Sequence, residues 1–186
     1  TINACKNKNI DYVGIGTDRK SSQIPLIIEK NGTKIAIINF AENEWASAGK
    51  GKPGANPYDL IECGRMIKKA SNDNDFVIVI IHGGHEYYDL PSPRMVKEFR
   101  YFAECGASAI LCHHSHAVSG YEIYNDVPIF YGLGNFLFTM RSEFDCWYSG
   151  ICVSLHLEKN KPIQFQIIPI KQSRSDFSVD LMDQRE

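Results

Sequence analysis

Five of the six histidines lie between positions 82 and 116. His82 closes the apolar run Phe76 to Ile81, and His113, His114 and His116 follow the stretch Ser108 to Cys112. Buried strands that end in imidazoles at one sheet edge can build a metal site. In an extended segment, residues two apart point the same way. His114 and His116 are therefore expected to face one ion while His113 points elsewhere, and with His82 they form the expected metal-ligand set. Gly83 and Gly84 let the chain turn sharply after His82 and leave room for an ion or substrate. Imidazole suits zinc, iron, manganese or nickel rather than calcium, so the expected cofactor is a divalent metal such as Mn, Zn or Fe. Glu86, four residues after His82, can ligate, orient a histidine or act as general base. It is the first catalytic candidate. His113 suits a supporting or substrate-contacting role and is counted with it. Glu42, Asn43 and Glu44 leave a buried strand toward the same edge and are substrate-binding candidates. Asn135, in Gly-Leu-Gly-Asn after a strand, joins them, although a loop-anchoring role fits it as well. An isolated histidine is ordinarily a satisfied polar residue, and His85 and His156 are read so.

The elements that must position these groups follow from periodicity. Phe76 to Ile81 does not alternate, as expected of a strand buried on both faces. Ser92-Pro93 caps a helix whose apolar face is Met95, Val96, Phe99, Phe102 and Ala103, with Gly106 as its stop. Ala107 to Cys112 is the next buried strand. Strand, helix, strand is a βαβ unit with parallel strands, and ligands in such sheets gather beyond the strands' carboxyl ends. Upstream, residues 1–9 read as the end of a helix and Tyr12 to Ile15 as a short strand. Ile24 to Glu29 and Thr33 to Phe40 flank Asn31-Gly32, a hairpin signal. Residues 41–57 read as a long loop, and Asn56-Pro57 as the start of a helix with core stripe Leu60, Cys63, Gly64 and Ile67. Downstream, Ser119 to Tyr124, Val127 to Tyr131, Ile151 to Glu158 and Pro162 to Ile170 read as antiparallel hairpins. Residues 1–170 thus form the α/β domain, with a parallel βαβ centre and antiparallel carboxyl-terminal hairpins, and 171–186 a polar tail.

Bulk properties exclude several classes. A net charge of −2 gives no footprint for nucleic acid. No apolar run approaches the ~20 residues of a membrane span. The chain opens at Thr1 in polar, helix-like sequence without a secretory leader pattern. The six cysteines contain no CxxC pair and mostly occupy apolar faces. They read as buried thiols, which favours a reducing compartment such as the cytoplasm, with a Cys146–Cys152 disulfide as the alternative. There is no GxSxG elbow, no GxxxxGK[ST] loop and no GxGxxG after a strand.

The segment HGGHEYYDLPSP (82–93) resembles the HWGxEY…PSP segment of the capsule-synthesis CapA family, proteins associated with poly-γ-glutamate. CHHSHAVSGYEIYNDVPIFYGLGNF (112–136) resembles that family's GHHPHVxQGxExYxGxxIxYSLGNF. The likeness spans roughly 1–140, with Gly83 where the family has tryptophan and Cys112 where it has glycine. It implies a metallophosphatase-like, four-layer α-β-β-α sandwich with a two-metal site, of which His82, His114 and His116 are the carboxyl-half ligands and Glu86 their neighbour. The family's GD motif and Asn-His pair do not occur here, so the chain resembles the carboxyl-terminal part of such a protein. From this follow further expectations: a single metal at most and no activity for this stretch alone, and an uncovered apolar sheet face favouring a homo-oligomer or the missing amino-terminal half. The implied substrate is an anionic polymer or a small phosphoester or amide. Members are often membrane-anchored and face outward. The alternative is a non-catalytic module holding an anionic polymer or sugar in the same cleft.

Overall fold

A computed structural model of the chain describes residues 1–42 and 46–183. Short elements open the chain: α1 (Ile2–Asn7), β1 (Ile15–Gly16) and α2 (Arg19–Ser22). β2 (Leu26–Lys30) and β3 (Thr33–Ala41) form the hairpin expected at Asn31-Gly32. Both turn residues have positive φ, +52° and +71°, which Asn and Gly tolerate best. β4 (Gly54–Ala55) pairs with β1, so the long loop supplies one strand of a small two-stranded ribbon. α3 (Leu60–Asp73), β5 (Phe76–Gly83), α4 (Pro93–Glu104) and β6 (Ala109–His114) then make the parallel centre. β7 (Tyr121–Tyr124) and β8 (Val127–Phe130) turn at Asn125-Asp126, again with positive φ at both positions. A 3-10 turn, Asp145–Tyr148, precedes β9 (Ser149–His156) and β10 (Gln164–Gln172).

The main sheet has six strands in the order β2-β3-β5-β6-β8-β7, with parallel β3, β5, β6 and β8 flanked by antiparallel β2 and β7. The chain is therefore mixed α/β with antiparallel carboxyl-terminal hairpins, as expected. Two local features differ from the sequence reading. α3 begins at Leu60, where the Asp59 carboxylate accepts from the Ile61 and Glu62 amides. Asn56 is occupied elsewhere: its side chain donates to the Asn39 carbonyl, its amide to Gly14, and its carbonyl accepts from Ala41. Within the stretch read as a polar tail, the segment after Gln172 returns as β11 (Val179–Leu181), which pairs with β10 in a three-stranded sheet.

The core lies between the main sheet and α3 and α4. Ala36, Ile38, Phe40, Val77, Val79, Ile81, Ile110 and Cys112 meet Cys63, Ile67, Met95, Phe99 and Phe102 there. The Ser92 hydroxyl accepts from the Met95 amide and fixes the start of α4, with Pro93 at its first turn. On the opposite face Phe165 of β10 packs edge-on against Phe130 and Tyr121, seating the small sheet. Strand alternation sends His82 and its register partner His113 to that opposite face, at the carboxyl edge of β5 and β6.

Candidate metal centre

β5 and β6 deliver the histidines side by side. A β6 that simply continued would aim His114 at the helices. Instead His114 has φ +100° and His116 φ +53°, conformations that side chains rarely adopt. The His114 ring consequently stands 4.7 Å from the His82 ring and 5.8 Å from the His116 ring, centroid to centroid. Such backbone strain, of order 1–3 kcal/mol per residue, persists only where surrounding structure enforces it. Tyr87, φ +66°, supplies part of that enforcement: its amide donates to the Ser115 carbonyl at 2.6 Å.

Donor atoms of Glu86, His114 and His116 all lie within 4.8 Å of one another. Glu86 Oε1 is 3.9 Å from His114 Nε2. Glu86, placed among the catalytic candidates from sequence, thus stands with the donors, and His82 stands beside them. The donor set, one carboxylate and two imidazoles with a third imidazole adjacent, fits a borderline divalent ion and leaves coordination positions for water.

The His116 tautomer follows from its neighbours. The Trp147 carbonyl can only accept, so the Asn135 amide nitrogen faces it at 3.0 Å. Asn135 Oδ1 therefore faces His116 Nδ1 at 2.8 Å, and Nδ1 must carry the proton. That leaves the Nε2 lone pair for a cation, the usual division of labour in a ligating histidine. Asn135 is buried and engaged at both ends of its amide, which gives it an orienting role. Rings enclose His116: Trp147 at 4.6 Å, Phe138 at 5.4 Å and Tyr87 at 6.2 Å. Tyr87 in turn stacks on Phe144 at 4.5 Å. These aromatic residues escaped the sequence reading, because Trp147 lies far from the motif and nothing local marks it.

His113 is not among the clustered donors; it shares with His82 the sheet face away from the helices. Burial, and next the neighbouring His82, lower its pKa and favour the neutral ring. Cys112, in the glycine position of the resembled motif, packs into the helix-side core. Burial pushes its thiol up to about 12, and the thiol donates to the Gly83 carbonyl. It is a packing group, and no ion-binding role follows from it. All six cysteines are free.

Glu42 directly follows β3. Burial alone would raise its pKa, but the Gly84 amide, Arg94 and His114 outweigh that and hold the carboxyl below its ordinary value. Asn43 and Glu44 lie outside the described residues. A cavity of about 340 Å³ opens beside His82, lined by Gly14, Asn39, Ala41, Glu42 and Ser47 among others. The larger cavity, about 820 Å³, runs along α4 past Arg94, Lys97 and Arg100. Arg94 and Arg100 are held there by Glu98 and Glu122, and that cavity lacks the donor chemistry of the histidine edge. His85 is exposed, and His156 is exposed at the end of β9 near Glu158.

The sequence model of the "Bacterial capsule synthesis protein PGA_cap" family matches residues 1–140. "PGA biosynthesis protein CapA" of Bacillus subtilis (strain 168) is 32% identical over 173 residues, 91% of this chain and 45% of that protein. "Capsule biosynthesis protein CapA" of Bacillus anthracis is 31% identical over 179 residues, 91% of this chain and 42% of that protein. The chain thus spans less than half the length of these two relatives. A solved structure of a hypothetical protein from Thermus thermophilus aligns with a TM-score of 0.49 at 10% identity, over 80% of this chain and 62% of that one.

Proposed function

This chain belongs to the bacterial capsule synthesis protein PGA_cap family, and from that premise we propose that its histidine edge holds a divalent metal used for hydrolysis in the making of capsule or poly-γ-glutamate. The observation that supports this best is the convergence of Glu86, His114 and His116 within 4.8 Å, with His82 alongside. A bound Mn, Zn or Fe ion would supply Lewis acidity and an activated water at neutral pH.

The chain's own groups have separable tasks. His114 and His116 offer imidazole nitrogens, and Asn135 keeps the His116 proton on Nδ1. Glu86 offers a carboxylate that balances cationic charge and can take a proton from water. The rings of Trp147, Phe138 and Tyr87 fix the His116 plane and limit solvent on that side. His113, neutral and partly buried, suits contact with the uncharged part of a substrate. The substrate class is an anionic polymer or a small phosphoester or amide.

A stretch of this span is expected to hold a single cation and to turn over little by itself, because two-metal hydrolysis needs carboxylates that bridge the ions. Turnover is therefore measured in a protein as long as the relatives. With Mn²⁺ or Zn²⁺ present, hydrolysis of a generic phosphodiester should vanish in His114→Ala and survive in His156→Ala. Equal turnover in both variants contradicts the proposal. Metal bound without any turnover favours the non-catalytic module that holds an anionic polymer or sugar in the same cleft.

A further inference from the structure

Glu42 has the position of a substrate contact but the bonding of a strut. Its amide donates to the His82 carbonyl at 2.9 Å, tying the end of β3 to the end of β5. Its carboxylate spans two other elements. Oε2 accepts from the Gly84 amide at 2.8 Å, and Oε1 accepts from Arg94 Nη2 at 2.6 Å. Arg94, in the first turn of α4, also donates through Nη1 to Glu98 at 2.9 Å. Glu98 accepts in addition from the Tyr58 hydroxyl at 2.7 Å. A row of charge-assisted bonds thus runs from α4 to the turn after β5, each stronger than a neutral hydrogen bond.

The turn itself is shaped around this carboxylate. A Cβ on Gly83 would lie 2.6 Å from Glu42 Cγ and 2.8 Å from its Oε2. Gly84 has φ +109°, so the chain reverses there and reaches Glu86 two residues later. The tryptophan that the resembled motif carries at position 83 has no room while Glu42 stays in place. Gly83 and Glu42 therefore form one packing unit.

We infer that Glu42 is a positioning residue: clamped by Arg94 and bonded to the Gly84 amide, it sets the path of the Gly83–Gly84 turn and so places Glu86 against His114 and His116. The inference rests on reading that cluster as a metal site. It assigns Glu42 no contact with substrate, and Arg94 the task of holding Glu42.

The test uses Zn²⁺ as probe and two readouts. In metal-free protein, hydrogen exchange at the Gly84 amide should speed up in Glu42→Ala. In the same variant, Zn²⁺ affinity by titration should fall ~10–100-fold, the usual effect of losing a group that supports a ligand. Glu42→Gln keeps an acceptor for Gly84 and should lose less than Glu42→Ala. Arg94→Lys keeps the charge but cannot grip Glu42 and Glu98 at once, and should fall between wild type and Glu42→Ala. Unchanged Gly84 exchange, unchanged Zn²⁺ affinity, or equal losses in Glu42→Gln and Glu42→Ala would each overturn the inference. If wild-type protein itself binds no Zn²⁺, the metal reading fails and takes this role with it. If wild type binds and Glu42→Ala binds equally, only the positioning role is lost.

Discussion

His116→Ala should abolish measurable metal binding. The substitution removes one of the clustered donors. It also leaves Oδ1 of Asn135, a residue only 9% exposed, facing the space of the lost imidazole. An unsatisfied buried acceptor costs roughly 1–3 kcal/mol. The rings of Trp147 and Phe138 lose the partner they enclose. Asn135→Ala provides the comparison. It keeps the donor but frees the ring and its tautomer, so affinity should drop only ~10–100-fold. The expected ranking is wild type above Asn135→Ala above His116→Ala, read by titration of folded, metal-stripped protein. Circular dichroism separates loss of binding from loss of fold. A His116→Ala variant that binds as tightly as wild type would remove this residue from the site.

Phe102→Ala should cost ~3–5 kcal/mol of stability, the range for emptying a large buried aromatic site. Phe102 is fully buried and stands at the junction of α4, β3 and the segment before α3. Its ring lies 6.1 Å from Phe40, 5.8 Å from Tyr58, 6.3 Å from Phe99 and 6.0 Å from Tyr101. The cavity cannot collapse easily, because Phe40 is fixed in the sheet and Phe99 stacks on Tyr131. With native domains stable by only about 5–15 kcal/mol, such a variant should sit near its unfolding threshold. Urea unfolding checks this: the midpoint should fall while the slope stays constant. A loss below about 1 kcal/mol would show that the helix layer repacks around the gap, contrary to dense packing. Because the same core holds the ends of β3 and β5 in register, metal affinity in Phe102→Ala should weaken only where the fold does.

The sequence carried the frame well where the physics is local. Asn31-Gly32 marks a hairpin because few other residues accept positive φ at both turn positions. Ser92-Pro93 marks the start of α4 because the cap bond and the fixed proline φ act within one turn. The unalternating runs ending in His82 and His113 announce strands buried on both faces, and their shared edge follows from the βαβ connection. What escaped depends on distant partners. Asn56 has the type of a helix cap, yet its side-chain nitrogen, amide and carbonyl are taken by Asn39, Gly14 and Ala41. That His114 would meet His82 was expected, but the positive φ that brings it there is one that no residue-type rule assigns to histidine. Arg94 reaches Glu42 across 52 positions, and Trp147 reaches Asn135 through its carbonyl, which is blind to side-chain type. The β11 strand, Val-Asp-Leu, is only three residues long, too short for an alternating pattern to be read.

Calorimetric titration of Zn²⁺ or Mn²⁺ into the metal-stripped 186-residue chain tests the central claim most directly. The predicted result is a single ion per chain, with binding lost in both His114→Ala and His116→Ala. Two tight sites, no binding at all, or a site that survives both substitutions would contradict it.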